Sequence, residues 1–326
     1  MKLFHDPRPF MLESGGVLPG ITIAYRTYGT LSASRDNVVW VCHSLTANSD
    51  AMAWWSGVVG PGAVIDTSTL FVVCANVIGS CYGSTPAVGY EFPLVSIRDQ
   101  VRAFIELRKH LGVDDIKMLI GGSMGGQHVL EWVLLEPDVV KCIVPIATGA
   151  KQSPWATAFN SAQRFAIQSD PTFYSEMPNA GATGLVAARA IGMISYRTPL
   201  MYNLKQESLD ERLEGFPVES YLRHQGLKLT SRFSAHSYFA LTRSMDTHDV
   251  GRGRASTGSA LRSIRARCLA IGIDSDILFP EAEQQFIADM IPGARYRRLS
   301  SPTGHDAFLT DQRQLSTIIR QEGLLS

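Results

Sequence analysis

The segment KMLIGGSMGGQHVLEWV, residues 117–133, restricts the fold of this chain more than any other part of the sequence. It places Ser123 in a Gly-x-Ser-x-Gly pattern, between an apolar run typical of a buried strand and an apolar run typical of a helix. Gly121 and Gly125 leave room for a tight strand-to-helix turn, which strains and exposes the serine between them. The segment therefore predicts a strand, a sharp turn that presents Ser123 as a nucleophile, and a helix.

Two other interpretations of this segment compete with the nucleophile. In the first, Ser123 only caps the following helix at an ordinary turn. In the second, the glycines form a phosphate-binding loop, but both the Gly-x-x-x-x-Gly-Lys-Ser/Thr pattern and the Gly-x-Gly-x-x-Gly spacing are absent. The strand and helix patterns on the two sides of Ser123 favour the nucleophile.

Strand-like and helix-like segments alternate along much of the chain. Several strand-like segments are continuously apolar, which suits a mostly parallel sheet covered by helices on both faces. Ser96 and Asp99 are spaced like a capping box at the start of a predicted helix, Ser96–Leu111. These observations predict the α/β class. The predicted strands are Ile21–Tyr28, Val38–Cys42, Leu70–Ala75, Lys117–Gly121, Cys142–Ala147, Arg267–Ile273 and Arg295–Leu299.

The strand pattern stops near Gly149 and resumes at Arg267, and helix-like stretches broken by prolines fill the interval. We predict helices at Gly184–Ile194, Ser208–Gln225 and Phe233–Asp246 in this interval, and at Glu281–Ile291 and Asp311–Glu322 after the last two strands. The sequence thus predicts one α/β catalytic domain, residues 1–149 and 256–326, interrupted by a helical cap, residues 150–255.

A serine hydroxyl is a weak nucleophile, so a base and an orienting carboxylate should follow Ser123 in the chain. Acidic residues follow the predicted strand 267–273, and His305 follows the next strand. Parallel sheets build their sites at the carboxyl ends of their strands. We therefore predict His305 as the general base, rather than a loop histidine that caps a helix. We predict Asp276 as its partner, with Asp274 as the alternative.

An acyl-transfer site also needs N–H donors for the oxyanion, which usually come from the residue after the nucleophile and from an early strand-to-loop turn. Met124 follows Ser123 directly. Leu45 lies in the turn after the predicted strand 38–42. We predict the backbone amides of Leu45 and Met124 as the oxyanion hole; the alternative for Leu45 is an ordinary polar turn.

Composition excludes several classes of function. Thirty Lys and Arg residues balance thirty Asp and Glu residues, so no net field gathers nucleic acid or an anionic membrane. A signal-peptide pattern and an uncharged apolar run of membrane length are both absent, which predicts a cytoplasmic protein. The five cysteines are widely spaced without a Cys-x-x-Cys pair, so we predict buried thiols and no metal site.

A series of short segments follows one family order between residues 40 and 310. They are His43–Thr46, Trp54–Trp55, Gly60–Gly62, Asp66–Thr67, Asn76–Thr85, Gly122–Gly126, Glu131–Trp132, Ser237–Tyr238, Thr242–Arg243, Met245–Asp246, Ser275–Asp276 and Gly304–Asp306. In these segments the chain resembles the homoserine O-acetyltransferase family of α/β-hydrolase-fold acyltransferases. The set is much more specific than Gly-x-Ser-x-Gly, which lipases and esterases share.

The resemblance implies an α/β-hydrolase fold with an inserted helical lid, and a triad of Ser123, Asp276 and His305. It also implies acetyl-CoA as the co-substrate, homoserine as the acceptor, an acetyl-serine intermediate, and a homodimer. A permanently bound cofactor or metal is not part of this expectation.

The resemblance further implies two ligands for the amino acid substrate. Asp306 would hold the amino group and Arg189 the carboxylate, since a carboxylate suits an ammonium and a guanidinium suits a carboxylate. The alternatives are a helix-capping aspartate and a surface arginine, and Arg164 competes with Arg189. His236 is a further candidate for the pocket lining. The candidates for the CoA phosphates, against a solvated basic face, are Arg243, Arg252, Arg254, Arg262, Arg265 and Arg267.

Two departures from the family pattern leave the substrates open. The loop Pro86–Pro93 is shorter than is common in the family, and Gln127-His128 stands where members often have Met-Gln. A succinyl donor and a serine acceptor therefore remain alternatives. So do a carboxylesterase or thioesterase with the same triad, and a receptor of this fold without catalytic activity.

Overall fold

The computed structural model describes residues 1–208 and 210–325. In that part of the chain, eight strands form the central sheet, in the spatial order β1-β2-β4-β3-β5-β6-β7-β8. β1 and β2 pair antiparallel, as do β2 and β4, and the other neighbours are parallel. The strands are β1 Lys2–Asp6, β2 Ile21–Tyr28, β3 Val38–Cys42, β4 Phe71–Ala75, β5 Met118–Gly122, β6 Cys142–Ile146, β7 Arg267–Ile273 and β8 Arg295–Leu299.

Helices cover the sheet, and two small strand pairs, Phe10–Met11 with Val17–Leu18 and Val59–Gly60 with Ile65–Asp66, lie outside it. A 3-10 helix spans Pro171–Tyr174. The α-helices are α1 Ala51–Trp54, α2 Ile97–His110, α3 Met124–Leu135, α4 Pro154–Gln168, α5 Ala182–Tyr196, α6 Pro199–Gln206, α7 Pro217–Thr230, α8 Ala235–Asp246, α9 Thr257–Arg262, α10 Glu281–Met290, α11 Ala307–Thr310 and α12 Gln312–Gln321.

Strand β3 shows why the sheet needs helices on both faces. All five of its residues are buried, and alternate side chains enter different apolar clusters. Trp40 packs against Trp132 of α3, with ring centroids 4.8 Å apart, whereas Val39 and Val41 belong to the cluster of the other face. Each such side chain contributes roughly 1.5–3 kcal/mol when it is fully buried. The continuous apolar run therefore positions β3 in the interior of the sheet.

The predicted mostly parallel sheet is confirmed, and each predicted strand ends within one residue of the observed one. The predicted capping box is present, because the Ser96 side chain accepts from the Asp99 amide and the Asp99 side chain accepts from the Ser96 amide. The strand β1 was not predicted. The predicted helix Ser208–Gln225 is wrong at its start, because α7 begins at Pro217. Leu209, within that prediction, and Ser326 lie outside the described residues.

The chain between β6 and β7 contains only helices and loops among its described residues, apart from one isolated bridge between Lys151 and Asp249. This bridge joins Lys151, near the start of the predicted cap, to Asp249, which precedes its predicted end. The Val250 amide donates to the Ala150 carbonyl at 3.0 Å. The boundaries 150 and 255 stay a prediction, and we call residues 150–255 the cap segment.

In residues 1–208 and 210–325, every helix is too short or too polar to cross a membrane. The same ranges contain no group of histidine, cysteine and acidic side chains suited to a metal ion. Four cysteines are buried as predicted, but Cys81 is exposed, so the prediction was wrong for that residue.

Candidate active site

Ser123 lies at the turn between β5 and α3 with φ 57° and ψ −124°. A positive φ is costly for a residue with a Cβ, and such strain concentrates at functional sites. The Ser123 amide donates to the Ile146 carbonyl of β6 at 2.9 Å, which helps to hold the turn against the sheet. The predicted strand, strained turn and helix are all present.

The glycines around Ser123 are required by close backbone approaches. A Cβ at Gly121 would lie 2.6 Å from the Gly125 carbonyl carbon, and a Cβ at Gly125 would lie 2.1 Å from the Cys42 carbonyl oxygen. Both contacts are with backbone and cannot be relieved by a rotamer change. The second contact shows that the turn packs directly on the end of β3, where the loop 43–46 begins.

Replacement of Gly125 by alanine is expected to lower the free energy of unfolding by about 3 kcal/mol, the upper end of the usual range for overpacking. The reason is the backbone clash with Cys42. Thermal unfolding followed by circular dichroism measures the loss. Gly16→Ala is the matched control, since a Cβ there meets only side chains at ordinary distances of 3.4 Å and more. Equal melting temperatures for the two variants would contradict this account.

The predicted oxyanion donors lie where β3 and the turn at Ser123 meet. In the described residues, neither the Leu45 amide nor the Met124 amide has a hydrogen-bond acceptor. Leu45 lines the same cavity as Ser123. Unpaired N–H groups beside a nucleophile are suited to stabilise a developing oxyanion.

His43 holds the loop that carries Leu45. Its Nδ1 lies 2.8 Å from the Ser44 carbonyl, and the Val77 amide donates to its Nε2 at 3.3 Å. Burial lowers the pKa of His43 to about 4, so the ring is neutral near pH 7 and bridges both groups with one tautomer. The residues around His43 do not predict this role, apart from the position of His43 in a family-like segment.

Asp276 and His305 meet at the carboxyl ends of β7 and β8. His305 Nδ1 lies 2.6 Å from Asp276 Oδ2, and Asp276 Oδ1 accepts from the amides of Leu278 and Phe279 at 2.8 and 3.0 Å. Asp274 instead accepts from the Ser301 amide at 3.0 Å, which braces the loop. The geometry agrees with the choice of Asp276 over Asp274. The catalytic roles of Ser123, Asp276 and His305 stay predictions.

The surroundings of His305 set its protonation. Burial among the rings of Tyr196, Phe279 and Phe308 disfavours the charged imidazolium. The negative charge and hydrogen bond of Asp276 outweigh this effect, so the pKa of His305 is raised. An imidazole that is stabilised when protonated is suited to accept the proton of a hydroxyl.

Ser275 ties the loop of the acid to the loop of the base. Its Oγ accepts from the Gly304 amide at 3.0 Å and donates to the Ser301 carbonyl. Gly304 has φ 90°, and a Cβ there would lie 2.9 Å from the Tyr196 carbonyl oxygen. Glycine therefore precedes His305 for a conformational and a steric reason.

One cavity of about 430 Å³ is lined by five of the predicted site residues. Ser123 and His305 lie in its wall together with Leu45, Arg189 and Asp306. Both charged candidates for amino acid binding therefore share a cavity with the candidate nucleophile and base. His236 does not line the cavity in the described part of the chain, so that prediction was wrong. Its Nε2 instead forms a hydrogen bond of 2.8 Å with the Phe173 carbonyl oxygen.

Arg189 projects from α5, and its guanidinium lies 5.4 Å from the centroid of the Tyr196 ring. Its Nε is buried, and within the described residues it has no hydrogen-bond acceptor. The rival Arg164 forms an ion pair of 2.6 Å with Asp246 and does not line the cavity in the described part of the chain. The structure therefore favours Arg189, whose role stays a prediction.

Asp306 follows His305 directly and precedes α11. Its side chain makes no capping hydrogen bond among the described residues, which argues against the helix-capping alternative. Asp306 Oδ2 forms an ion pair of 3.1 Å with Arg197. The carboxylate is thus held at the cavity wall by a neighbouring cation.

The site and fold together define an enzyme of the α/β-hydrolase fold, and a family model of that fold matches residues 37–312. Two solved structures are similar over the whole chain, with 21–22% identity. An esterase gives a TM-score of 0.92 and is covered to 99%, and the homoserine O-acetyltransferase from Bacillus anthracis gives 0.91 and is covered to 97%. At this identity the two structures confirm the fold alone.

Sequence relatives give the family. The homoserine O-acetyltransferase of Cyclobacterium marinum is 44% identical over 98% of this chain and 94% of its own length. That of Trichormus variabilis is 43% identical over 98% of this chain and 92% of its own length. The chain belongs to the homoserine O-acetyltransferase family, which confirms the resemblance seen in the sequence.

Proposed function

We propose that the chain is a homoserine O-acetyltransferase that converts acetyl-CoA and L-homoserine into O-acetyl-L-homoserine and CoA, a step of methionine biosynthesis. Family membership supports the reaction. The observation that supports it most within the molecule is the single cavity lined by Ser123, His305, Arg189 and Asp306. A nucleophile and base stand there beside Arg189 and Asp306, a cation and an anion of the kind that an amino acid zwitterion requires.

In the first half-reaction, Ser123 Oγ attacks the thioester carbonyl while His305 takes the hydroxyl proton. The amides of Leu45 and Met124 stabilise the tetrahedral oxyanion; loss of one such donor costs on the order of a hundredfold or more in rate. The carbon–sulfur bond then breaks, the proton passes to the departing CoA sulfur, and an acetyl-serine remains.

In the second half-reaction, the hydroxyl of homoserine attacks the acetyl-serine. His305 removes the hydroxyl proton, the same two amides stabilise the second oxyanion, and the proton returns to Ser123 as the ester bond to the enzyme breaks. Asp276 orients the ring and stabilises the imidazolium in both halves. Acetyl-CoA is a co-substrate, and the cycle consumes no bound cofactor.

Arg189 and Asp306 orient the acceptor. The carboxylate of homoserine supplies the acceptor that the buried Nε of Arg189 lacks within the described residues, and its ammonium donates to Asp306, whose Oδ2 pairs with Arg197. Charge-assisted hydrogen bonds contribute about 1.5–3 kcal/mol each. Such binding positions the hydroxyl near the acetyl-serine, which favours transfer over attack by water.

Replacement of Arg189 by glutamine is expected to raise KM for homoserine roughly 10- to 100-fold, the change that corresponds to loss of one charge-assisted hydrogen bond. Formation of the acetyl-enzyme from acetyl-CoA should change much less, because that step precedes acceptor binding. Steady-state kinetics and intact-protein mass spectrometry separate the two effects. An equal loss in both steps would contradict a role in acceptor binding.

The function itself is tested by one matrix of reactions. Purified protein is incubated with acetyl-CoA or succinyl-CoA, and with homoserine, serine or no acceptor, and products are identified by mass. The proposal requires O-acetylhomoserine and a release of CoA that depends on homoserine. Release at the same rate without an acceptor would indicate a thioesterase, and transfer of succinyl or to serine would correct the donor or the acceptor.

A homodimer and a cytoplasmic location complete the proposal. Acyl-CoA is an intracellular substrate, which supports the location. Apolar side chains are exposed on helices of the cap segment, where a second copy would cover them. They are Phe165, Ile194, Leu200, Leu204 and Leu227. Light scattering should give twice the mass of the chain; a monomer at micromolar concentration would contradict the dimer.

A further inference from the structure

Arg232 lies in the link between α7 and α8 and lines the cavity that contains Ser123. It is also exposed, so it stands where the cavity opens to solvent. The other cavity residues that carry a charge, or take one up in the proposed reaction, are Arg189, Asp306 and His305. These three already have partners or roles in the proposed function, and Arg232 has none there.

The contacts of Arg232 leave its charge uncompensated. Its Nη1 donates to the Thr46 carbonyl at 2.6 Å and to the Tyr82 hydroxyl at 2.5 Å. Both acceptors are neutral, and within the described residues no carboxylate lies within ion-pair distance of Arg232. The contacts engage only Nη1, so the remaining N–H groups of the fork stay available to an anion.

The donor proposed above carries its acetyl group on a long neutral arm and its negative charge on phosphate groups at the other end. When the thioester lies at Ser123 inside the cavity, that anionic end must lie toward solvent. We propose that Arg232 binds a phosphate group of the CoA moiety at the cavity mouth. This inference rests on the proposed function and adds a donor-binding residue to it.

The arginines named from the sequence do not offer this geometry. None of Arg243, Arg252, Arg254, Arg262, Arg265 and Arg267 lines the cavity in the described part of the chain. Three of them, Arg252, Arg254 and Arg265, are already paired with carboxylates. These positions agree with the alternative of a solvated basic face, and Arg232 of the cap segment is the residue that lines the cavity instead.

A comparison of two acyl donors tests the proposal. Acetyl-CoA and S-acetylpantetheine share the thioester and the arm, but the second lacks the phosphate groups. For Arg232→Gln, kcat/KM with acetyl-CoA should fall about tenfold, as expected for loss of one exposed charge-assisted hydrogen bond. The loss with S-acetylpantetheine should be several times smaller. Arg232→Lys should recover part of the loss with acetyl-CoA, because it keeps the positive charge.

Two results would overturn the proposal. If kcat/KM of Arg232→Gln fell by the same factor with both donors, Arg232 would have only a structural role, through its hydrogen bonds to Thr46 and Tyr82. In the unmodified protein, added salt should lower kcat/KM for acetyl-CoA more steeply than for S-acetylpantetheine, since it screens an exposed charge pair. Equal salt dependence would also overturn it, even if the variant failed to fold.

Arg223→Gln is the matched control, because Arg223 is an exposed arginine of α7 that does not line the cavity in the described residues. Arg223→Gln should leave the ratio of kcat/KM for acetyl-CoA to kcat/KM for S-acetylpantetheine unchanged. Failure of the unmodified protein to transfer acetyl from either donor to homoserine would refute the proposed function instead. The two failures are therefore distinguishable.

Discussion

Replacement of Ser123 by alanine is expected to abolish the acetyl-enzyme and to lower kcat by at least about 10⁴-fold, as removal of a catalytic nucleophile does in comparable triads. In the proposed cycle, the Ser123 Oγ atom is the protein atom that bonds to the acetyl group. A strained turn at φ 57° presents this serine. Intact-protein mass spectrometry after mixing with acetyl-CoA should show one added acetyl group in the unmodified protein and none in the variant.

Ser44→Ala serves as a control for this experiment, because Ser44 lines the same cavity away from the turn at Ser123. It should lose far less activity than Ser123→Ala. Acetylation that persists in Ser123→Ala would assign the nucleophile elsewhere. A protein that binds acetyl-CoA without any acetylation or turnover, before and after the substitution, would be a receptor rather than an enzyme.

Replacement of Asp276 by asparagine is expected to lower kcat by about 10⁴-fold, since the amide favours the wrong tautomer of the neighbouring imidazole. The Nδ1 atom of His305 lies 2.6 Å from Asp276, so the tautomer depends directly on this contact. The matched control is Asp274→Asn in the same loop, whose side chain accepts from Ser301 and does not contact His305. Comparable losses in both variants would assign the effect to the loop instead.

The substitution Asp276→Asn should also change how kcat/KM depends on pH. Burial opposes protonation of His305, but the charge of Asp276 outweighs it and raises the pKa. Only the neutral ring accepts a proton from Ser123, so activity should be present above this pKa and lost as pH falls through it. In Asp276→Asn the pKa falls, and the midpoint of kcat/KM against pH should move to lower pH. A midpoint that stays in place would contradict the assignment of His305 as the base.

The candidate site could be predicted from sequence where local requirements are strict. The turn at Ser123 needs glycine at positions 121 and 125, because backbone of neighbouring elements lies within 3 Å of any Cβ there. Asp276 and His305 follow predicted strands whose carboxyl ends share one edge of the sheet, so their order along the chain indicated their proximity.

Other features depend on contacts that no local pattern records. Strand β1 is short and polar, with Phe4 and Asp6 as its buried residues, and it forms by antiparallel pairing with β2. Helix α7 begins at Pro217, which fits a first helical position because proline lacks an N–H, although an apolar periodicity runs across it. Arg232 reaches the cavity only because the α7–α8 link packs near Thr46.

The bridge between Lys151 and Asp249 brings together the chain that enters helix α4 and the chain that leaves helix α8. Insertions whose two ends lie together are tolerated well, because their exchange need not strain the domain that carries them. The cap segment does not include Ser123, Asp276 or His305. Under the proposed function, the cap segment supplies Arg189 and Arg232 to the cavity and the rest of the chain supplies Ser123, His305 and Asp306. Exchange of the cap helices would therefore change part of the substrate contacts and leave the proposed triad in place.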